Sequence, residues 1–342
     1  MATNAGKILR DPSAALPPTD RDGSRWFSVI ERFALPIVWA LVVLAFSLAM
    51  PSTFPHLGNA AAILGSQVIV LLLAFALLVP LLAGDYDLSV SNNAAFGAMV
   101  LSVLNSQHQV PWGLAALVVL FVGPLIGIVN GTLTLVLGID SLIVTLGVGT
   151  LISGIDAWIS GSAIITGISP QLVQLTSIDH FLGIPLEFWY GVVVCVVLWY
   201  MLSFTPAGRR LLFVGRNRTV ARLSGLRVGR IRMLSFAAAG LISSVCGIVL
   251  AGTLNGADPS AGSTYLLPAF AAVFLGATTI TPGRFNPWGA FVAVYFLGTG
   301  ISGLQLLGLA SWIQPVFYGG ALVVAVAFSQ LMRGRKALQT GG

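Results

Sequence analysis

Charged residues are scarce in this sequence. Asp, Glu, Lys and Arg together make up 8% of its 342 residues, whereas about a quarter is usual for a soluble domain. Hydrophobic residues make up 56%, and they fall into runs of roughly 17 to 25 residues, the length that spans the hydrocarbon core of a bilayer. This composition excludes an ordinary soluble fold and predicts an all-α, polytopic bundle of transmembrane helices.

The residue patterns of common catalytic and nucleotide-binding sites are also lacking. The three His residues lie in separate segments, and neither a His-Glu-x-x-His nor a Gly-x-Ser-x-Gly pattern occurs. Lys7 and Lys336 are the only lysines, and neither follows the glycine-rich loop that cradles ATP phosphates. Cys195 and Cys246 lie inside apolar runs, which predicts neither a disulfide framework nor a metal site. We therefore expect no enzymatic activity, metal or cofactor in this chain.

Basic residues are confined to a few segments. The net charge of +6 could indicate a nucleic-acid partner, but the basic clusters carry no interleaved aromatic platform, which fits membrane topology better. With the N-terminus in the cytoplasm, every Lys and Arg falls on the cytoplasmic side, including the eight arginines between Arg209 and Arg232. The apolar runs predict about ten spans, an even number that returns the C-terminus to the cytoplasm: 33–50, 60–83, 88–105, 112–137, 141–160, 184–205, 233–254, 265–281, 286–307 and 311–332.

Polar segments flank the membrane domain. Residues 1–32 lack the cleavage pattern of a secretory signal and are predicted to form a disordered cytoplasmic tail. Residues 33–332 form the predicted transmembrane domain, which contains a cytoplasmic loop over 206–232. Residues 333–342 are predicted to be a cytoplasmic C-terminal tail.

The segment 84–89 places two carboxylates, Asp85 and Asp87, between two apolar runs. Each would cost about 2.5 to 3.5 kcal/mol at the centre of a spanning helix, so the segment must lie at an interface or line a cavity. Capping of the next helix by Asp87 or Ser89 and a role in a substrate path are both compatible with the sequence. Four other polar residues are candidates for such a path: Gln67, Asn92, Asn130 and Gln305.

Two further aspartates and several glycines lie in or beside apolar runs. Asp140 follows Gly138 at the start of a span, where capping is expected, whereas Asp156 lies well inside a span and could serve a proton relay. Small residues recur at close spacing, which favours close helix packing over a pore lining: Gly123, Gly127, Asn130 and Gly131, and then Gly147, Gly149 and Gly154.

The arginine-rich segment contains a short predicted helix. Asn217 can cap its start and Gly225 can stop its end. A helix of under about 12 residues is marginal alone, so it requires a surface. Anionic lipid headgroups would attract Arg218 and Arg222, and a protein groove would take its apolar residues. Charge anchoring alone explains the arginines equally well.

These motifs resemble the membrane permeases of bacterial ABC importers for ribose, xylose, galactose and related sugars, from about Phe54 to the C-terminus. Residues 84–90 are similar to that family's Gly-Gly-Ile-Asp-Leu-Ser-Val motif, residues 127–131 to its Gly-x-x-Asn-Gly, and residues 142–147 to its Phe-Ile-Val-Thr-Leu-Gly. The most specific match is to the family's coupling loop, the short helix that docks into the ATPase subunit: Gly208-Arg-Arg, Gly215-Arg-Asn and Ala221-Arg-Leu-Ser-Gly-Leu226.

The sequence departs from the family pattern at two places. Asp85 and Ser91 replace expected glycines, and Ala277 with Arg284-Phe-Asn-Pro replaces a Gly-Gly-x-Gly pattern between the eighth and ninth predicted spans. We therefore expect a substrate that can differ from the usual pentoses.

The resemblance implies a permease in the bacterial inner membrane that forms the translocation path for a monosaccharide or related polyol. It also implies three kinds of partner: a second permease copy, identical or related; a periplasmic or lipid-anchored substrate-binding protein; and ATPase subunits, which use ATP and Mg²⁺. By the same resemblance the ATPase-coupling residues are Asn217, Arg218, Ala221, Arg222, Leu223, Ser224 and Gly225.

An ion-coupled secondary transporter with broken helices is the alternative function. In that case intramembrane carboxylates would carry the coupling cation or proton, and the candidates are Asp85, Asp87 and Asp156. The two functions differ in whether uptake requires ATP.

Overall fold

The structure, a computed structural model, describes the backbone of residues 21–339 and the side chains of residues 32–327. Within this range the chain is predominantly helical. The helices are α1 (Arg21–Ala49), α2 (Leu57–Ser66), α3 (Val68–Leu82), α4 (Val90–Ser102), α5 (Trp112–Val136), α6 (Ser141–Ser160), α7 (Pro170–Val173), α8 (Leu186–Phe204), α9 (Pro206–Arg216), α10 (Arg218–Leu223), α11 (Val228–Leu254), α12 (Ala261–Gly276), α13 (Pro287–Leu306) and α14 (Ile313–Gln339).

Seven segments of the described chain are long and apolar enough to cross a membrane: Arg32–Ala49, Leu57–Leu82, Trp112–Val136, Ser141–Ser160, Leu186–Phe204, Val228–Leu254 and Pro287–Leu306. The predicted all-α, multi-pass architecture is therefore confirmed. The other three predicted spans correspond to shorter helices: α12, the described apolar part of α14, and α4, which continues as a π-helical turn over Val103–Gln107.

Several predicted boundaries differ from the structure. The predicted span 60–83 is two helices, α2 and α3, which meet at Gln67. The predicted loop 206–232 consists largely of α9, α10 and the first turn of α11, which begins at Val228 rather than at 233. The predicted span 265–281 ends at Gly276, because the segment that follows leaves the helix before Pro287. Of the predicted tails, residues 1–20 and 340–342 lie outside the described residues, and helix covers 21–32 and 333–339.

Helix α3 forms the centre of the bundle. All of its residues from Val68 to Leu82 are buried, and it packs against α8, α11, α12 and α13. Its sequence is apolar around the whole circumference, which is typical of a helix surrounded by other helices. Helix α1 lies at the opposite extreme, because only 6% of its membrane-spanning window is buried. Because α3 is the buried centre and α1 lies at the periphery, the segment that follows α3 is at the middle of one end of the bundle.

Glycines allow α5 and α11 to pack backbone against backbone. A β-carbon built on Gly123 would overlap the carbonyl of Gly240, and one built on Gly240 would overlap the carbonyl of Gly123. Gly127 lies equally close to the carbonyl of Phe236. Small residues permit this approach in lipid, where the apolar surface of neighbouring helices supplies little driving force. The predicted packing role of this glycine group is confirmed. The same packing role was predicted for Gly147 and Gly154 of α6. That prediction is wrong within this chain, because a β-carbon at either position would meet nothing within 4 Å.

We expect Gly240→Leu to lower the unfolding temperature of the permease and Gly147→Leu to leave it unchanged. The leucine at position 240 would have to separate the α5 and α11 backbones, and overpacking of this kind typically costs about 1 to 3 kcal/mol or more. Thermal unfolding of the two purified variants, followed by size-exclusion chromatography in detergent, measures the difference. Equal unfolding temperatures for the two variants would contradict the packing described above.

The two ends of the bundle differ in chemistry. One end carries α9, α10 and the segment 277–286 that joins α12 to α13, and its arginines Arg32, Arg216 and Arg284 line one cavity. We call it the arginine end. The opposite end carries two short antiparallel strand pairs, β1 (Ile165–Thr166) with β4 (Gly256–Ala257), and β2 (His180–Phe181) with β3 (Ile184–Pro185). The length of α8, roughly 28 Å at 1.5 Å per residue, separates β3 from α9.

Candidate functional site

The short helix α10 forms as its sequence predicts. The Oδ1 atom of Asn217 accepts hydrogen bonds from the N–H groups of Thr219 and Val220, both at 3.0 Å. Gly225 adopts a left-handed conformation with φ of +80° directly after the helix. The next amide, that of Leu226, donates to the carbonyl of Ala221 at 3.1 Å. Both predicted caps of this helix are therefore confirmed.

One face of α10 packs against its own chain and the other is exposed. Ala221 is fully buried in a small cluster with Val214 of α9 and Val228 of α11. Leu223, by contrast, is 83% exposed. The surface that a helix this short requires is therefore provided in part by α9 and α11, an arrangement that the sequence did not predict. Leu223 remains as an apolar group facing away from the bundle.

Asp85 is buried beside two arginines. Its side chain is 2% exposed, and its Oδ1 atom accepts hydrogen bonds from Nη2 of Arg218 at 2.9 Å and from Nη2 of Arg232 at 2.6 Å. Its Oδ2 atom accepts a further bond from Nε of Arg232 at 2.7 Å. A buried carboxylate is tolerated when it is paired and its lone pairs are satisfied. The arginine-rich segment therefore offsets the free-energy cost of burying the Asp85 carboxylate.

Arg218 also joins α10 to the end of α3. Its Nη2 atom donates to the carbonyl oxygens of Ala83 at 3.1 Å and of Gly84 at 2.7 Å, in addition to Asp85. The residues Asp85, Arg218 and Arg232 are here called the Asp85 cluster. The cluster lies at the arginine end, and it links α10, α11 and the segment between α3 and α4. Asp85 was also a candidate path residue and a candidate ligand of a coupling ion, but its oxygens already accept bonds from two guanidinium groups.

A second buried cluster lies next to the first. The Oδ1 atom of Asp87 accepts hydrogen bonds from the backbone N–H of Ser89 at 3.0 Å and from its hydroxyl at 2.6 Å. Nδ2 of Asn130 in α5 donates to the Ser89 hydroxyl oxygen at 2.7 Å. The structure thus brings together three residues that the sequence singled out separately. Capping of α4 by the Ser89 side chain is wrong, because that side chain makes no cap hydrogen bond, and Asp87 bonds Ser89 itself rather than an amide inside α4.

Helix α6 holds the backbone between the two clusters. The N–H of Tyr86 donates to the hydroxyl of Ser141 at 3.1 Å, and the N–H of Leu88 donates to the hydroxyl of Thr145 at 2.9 Å. Ser141 and Thr145 were not predicted as functional residues. Their spacing of four residues on one face of a helix was the available signal, and Thr145 lies within the family-like segment 142–147.

The other two aspartates of interest lie apart from these clusters. Asp140 caps α6, as predicted, by accepting a hydrogen bond from the N–H of Leu142 at 2.8 Å. Asp156 is buried near the other end of the same helix, roughly 22 Å along the axis from its start. The described residues contain no group of three or more His, Cys, Asp or Glu side chains that could hold a metal ion. The carboxylates of Asp85, Asp87 and Asp156 therefore do not form one ion site.

Two predicted path residues, Gln67 and Gln305, line one polar cavity. It has a volume of about 430 Å³ and lies in the half of the bundle remote from the arginine end, between α2, α3, α12, α13 and α14. The hydroxyl of Tyr318 donates to Oε1 of Gln67 at 3.3 Å. Asn92 and Asn130 do not line this cavity. The sequence did not single out the other polar lining residues, which come from four different helices: Ser66, Thr264, Tyr265, Ser302, Gln314 and Tyr318.

Comparison with known proteins identifies a transport family. The family described as the permease component of the branched-chain amino acid transport system matches residues 59–326. An L-arabinose ABC transporter permease of Azospirillum brasilense is 31% identical over 95% of this chain and 95% of its own length. A ribose import permease of Haemophilus influenzae is 32% identical over 84% of this chain and 90% of its own length.

A more distant relative carries a different substrate name. An autoinducer 2 import system permease of Photorhabdus laumondii is 29% identical over 86% of this chain and 89% of its own length. No solved structure matches the chain. Both the apolar helices and the extent of these matches agree with the resemblance seen in the motifs. The chain therefore belongs to this permease family, as a multi-pass permease component of an ABC importer in the bacterial inner membrane.

Proposed function

We propose that this permease imports a monosaccharide or related polyol and that α10 couples its movements to separate ATPase subunits, which use ATP and Mg²⁺. Two permease copies form the translocation path, and a periplasmic or lipid-anchored binding protein delivers the substrate. The names of the relatives support the substrate class, because they include an L-arabinose and a ribose permease. The observation that carries the coupling role is the attachment of α10 to the break between α3 and α4 through Arg218 and Asp85.

The arginine end is the cytoplasmic end in this proposal. Arg32 of α1, Arg216 of α9 and Arg284 of the segment 277–286 line one cavity although they are far apart in sequence. Segments rich in arginine are retained on the cytoplasmic side of a membrane. If α4, α12 and α14 also cross the bilayer, the chain has ten spans and both termini are cytoplasmic.

Coupling would proceed through contacts that are already formed. A partner that displaces α10 moves the Arg218 guanidinium, and with it the carbonyls of Ala83 and Gly84 and the carboxylate of Asp85. The same backbone segment contacts α5 through Asn130, and α6 through Ser141 and Thr145. A small shift at one end can thus be transmitted to spanning helices as a change between two packed arrangements.

The polar cavity is the proposed segment of the sugar path. Gln67 and Gln305 carry amide groups that both donate and accept, and the tyrosine and serine hydroxyls beside them do the same. Such groups complement the alternating donors and acceptors of sugar hydroxyls. A path that must release its substrate needs only a few such bonds, each of which contributes about 0.5 to 1.5 kcal/mol.

We expect Gln67→Leu and Gln305→Leu each to reduce sugar uptake by about two- to tenfold, the range that one lost hydrogen bond supports. Initial rates of labelled sugar uptake into proteoliposomes measure the effect. Gln107→Leu, at an exposed position in the π-helical turn after α4, is the matched control and should retain the original rate. A loss of uptake in the control alone would argue against the cavity as part of the path.

The proposal as a whole is tested by reconstituting the permease with its ATPase and binding protein in proteoliposomes. Vanadate-sensitive uptake that requires ATP is expected. Uptake that persists without ATP and collapses with a protonophore would instead favour the ion-coupled alternative. A thermal-shift screen of the binding protein against pentoses, hexoses, polyols and inositol then identifies the substrate, because a ligand that binds the folded state raises the unfolding temperature.

A further inference from the structure

A second, larger cavity lies at the arginine end and is not explained by sugar transport. Its volume is about 710 Å³, and it is lined by the ends of α3, α8 and α9 and by the segment 280–288. Arg32, Arg216 and Arg284 are among the lining residues, and none of the lining residues is an Asp or a Glu. The cavity therefore presents a concentration of positive charge to whatever occupies it.

The charge of this cavity is not neutralised by the described part of the protein. Arg216 and Arg284 form no ion pair with any carboxylate among residues 32–327. The carboxylate of Asp85, at the same end, is paired with Arg218 and Arg232. Basic pockets between transmembrane helices on the cytoplasmic side are suited to anionic lipid headgroups, because the negative surface potential of that leaflet adds to the attraction.

The wall of the cavity is apolar and aromatic. Trp199 of α8 and Trp288 of α13 both line it, with ring centroids 6.4 Å apart, beside Leu81 and Leu212. Tryptophan is enriched at the level of the lipid headgroups, where one side of the ring contacts hydrocarbon and the indole N–H contacts water. The cavity thus combines cations with a surface for the upper part of an acyl chain, a combination that a free phosphate ion would not need.

The backbone of the segment 277–286 holds two of the arginines in place. The N–H of Ile280 donates to the carbonyl of Arg32 at 3.0 Å, and the Thr279 hydroxyl donates to the same oxygen at 2.8 Å. Nδ2 of Asn286 donates to the carbonyl of Arg284 at 3.1 Å. Ile280 has a φ of +61°, a strained conformation for a β-branched residue that persists only where the surrounding structure enforces it. Strain of this kind is concentrated at ligand-binding sites.

From these observations we infer that the cavity binds the headgroup phosphate of an anionic phospholipid from the cytoplasmic leaflet. Arg216 and Arg284 contact the phosphate, with Arg32 beside them, and the first acyl carbons lie against Trp199 and Trp288. The inference rests on the cytoplasmic orientation of the arginine end given under the proposed function. It adds a lipid site to that function, next to α9 and the coupling helix α10.

Lipid titration of the purified full-length permease in detergent tests the inference, with binding measured by native mass spectrometry. We expect phosphatidylglycerol to bind more tightly than phosphatidylcholine. Each of Arg216→Gln and Arg284→Gln should weaken phosphatidylglycerol binding about fivefold, which is the effect of about 1 kcal/mol per basic residue near an anionic surface. Arg230→Gln removes an exposed arginine of the same end that does not line the cavity, and it should leave binding unchanged.

Three outcomes would overturn the lipid site. Equal affinity for phosphatidylcholine would mean that the arginines do not select the ligand. Competition by millimolar inorganic phosphate as effective as that by phosphatidylglycerol would identify a free anion as the ligand. Loss of ATPase co-purification in the Arg216 and Arg284 variants, with unchanged lipid binding, would assign the cavity to the ATPase. Uptake is measured separately, so failure of lipid binding with intact uptake is distinguishable from failure of transport itself.

Discussion

Replacing Asp85 by Ala is expected to destabilise the permease and to abolish coupled uptake. The carboxylate is 2% exposed and accepts three hydrogen bonds from two guanidinium groups. Removing one member of a buried ion pair typically costs about 3 to 5 kcal/mol, because the remaining charge is left without a partner. Arg232 accounts for most of this cost, because its side chain is only 16% exposed and its charge would be left buried without a partner. Thermal unfolding in detergent and ATP-driven uptake measure the two effects.

Removal of the whole Asp85 cluster is expected to be less harmful to stability than removal of Asp85 alone. In the variant with Ala at positions 85, 218 and 232, no unpaired charge remains from the cluster, so part of the unfolding temperature should return. Uptake should not return, because Arg218 no longer joins α10 to the end of α3. Asp179→Ala, at a half-buried aspartate of the opposite end that forms no ion pair among the described residues, is the control. Additive losses of stability would show that the three charges do not act as a unit.

Leu223→Asp is expected to separate the permease from its ATPase while leaving the isolated permease folded. The side chain is 83% exposed and therefore makes few contacts with the rest of the described chain. A charge there therefore costs the free protein little. In a docked complex it would be buried in the partner's groove, where losing an apolar anchor and burying a charge cost about 2 kcal/mol or more. We expect at least about a 30-fold loss of ATPase affinity by co-purification, with uptake reduced accordingly.

The control for Leu223 is Leu182→Asp. Leu182 is similarly exposed, at 76%, but it lies in the turn between β2 and β3 at the end remote from α10. ATPase retention should be unchanged in that variant. The Leu223→Asp variant could instead retain the ATPase while Arg222→Gln weakens the binding of the arginine end to anionic lipid vesicles. In that case α10 is a lipid anchor, and its proposed coupling role is wrong.

Features set by short-range interactions were predictable. The caps of α10 depend on Asn217 and Gly225, which lie next to the groups that they satisfy or the turn that they form. The assignment to the class of helical membrane proteins follows from the length and composition of the apolar runs, because the bilayer imposes both. The break between α2 and α3 was missed, since Gln67 carries no helix-breaking signal of the kind that glycine and proline give.

Features set by distant partners were not predictable. Asp85 and Arg232 are 147 residues apart, and in the sequence the first is only an expensive carboxylate and the second only a topology marker. Gly123 and Gly147 were assigned to the same kind of packing by their spacing, yet only Gly123 faces another backbone. In each case the decisive information is which helix lies opposite, and local patterns do not contain it.

The exposure of α1 has a consequence for how its sequence can diverge among homologues. The matched family region begins at residue 59, after this helix, and side chains such as Leu41, Leu44 and Leu48 face outward. A side chain that contacts acyl chains must be apolar, but it has no neighbour whose shape it must fit. Selection on most of α1 therefore acts on its overall apolar composition and not on the identity of the residue at each position. Trp39 and Phe46 are exceptions, because the indole N–H of Trp39 donates to the hydroxyl of Thr299 at 3.0 Å and the ring of Phe46 packs against Gly303. Both should be retained while the outward-facing leucines interchange with valine, isoleucine and phenylalanine.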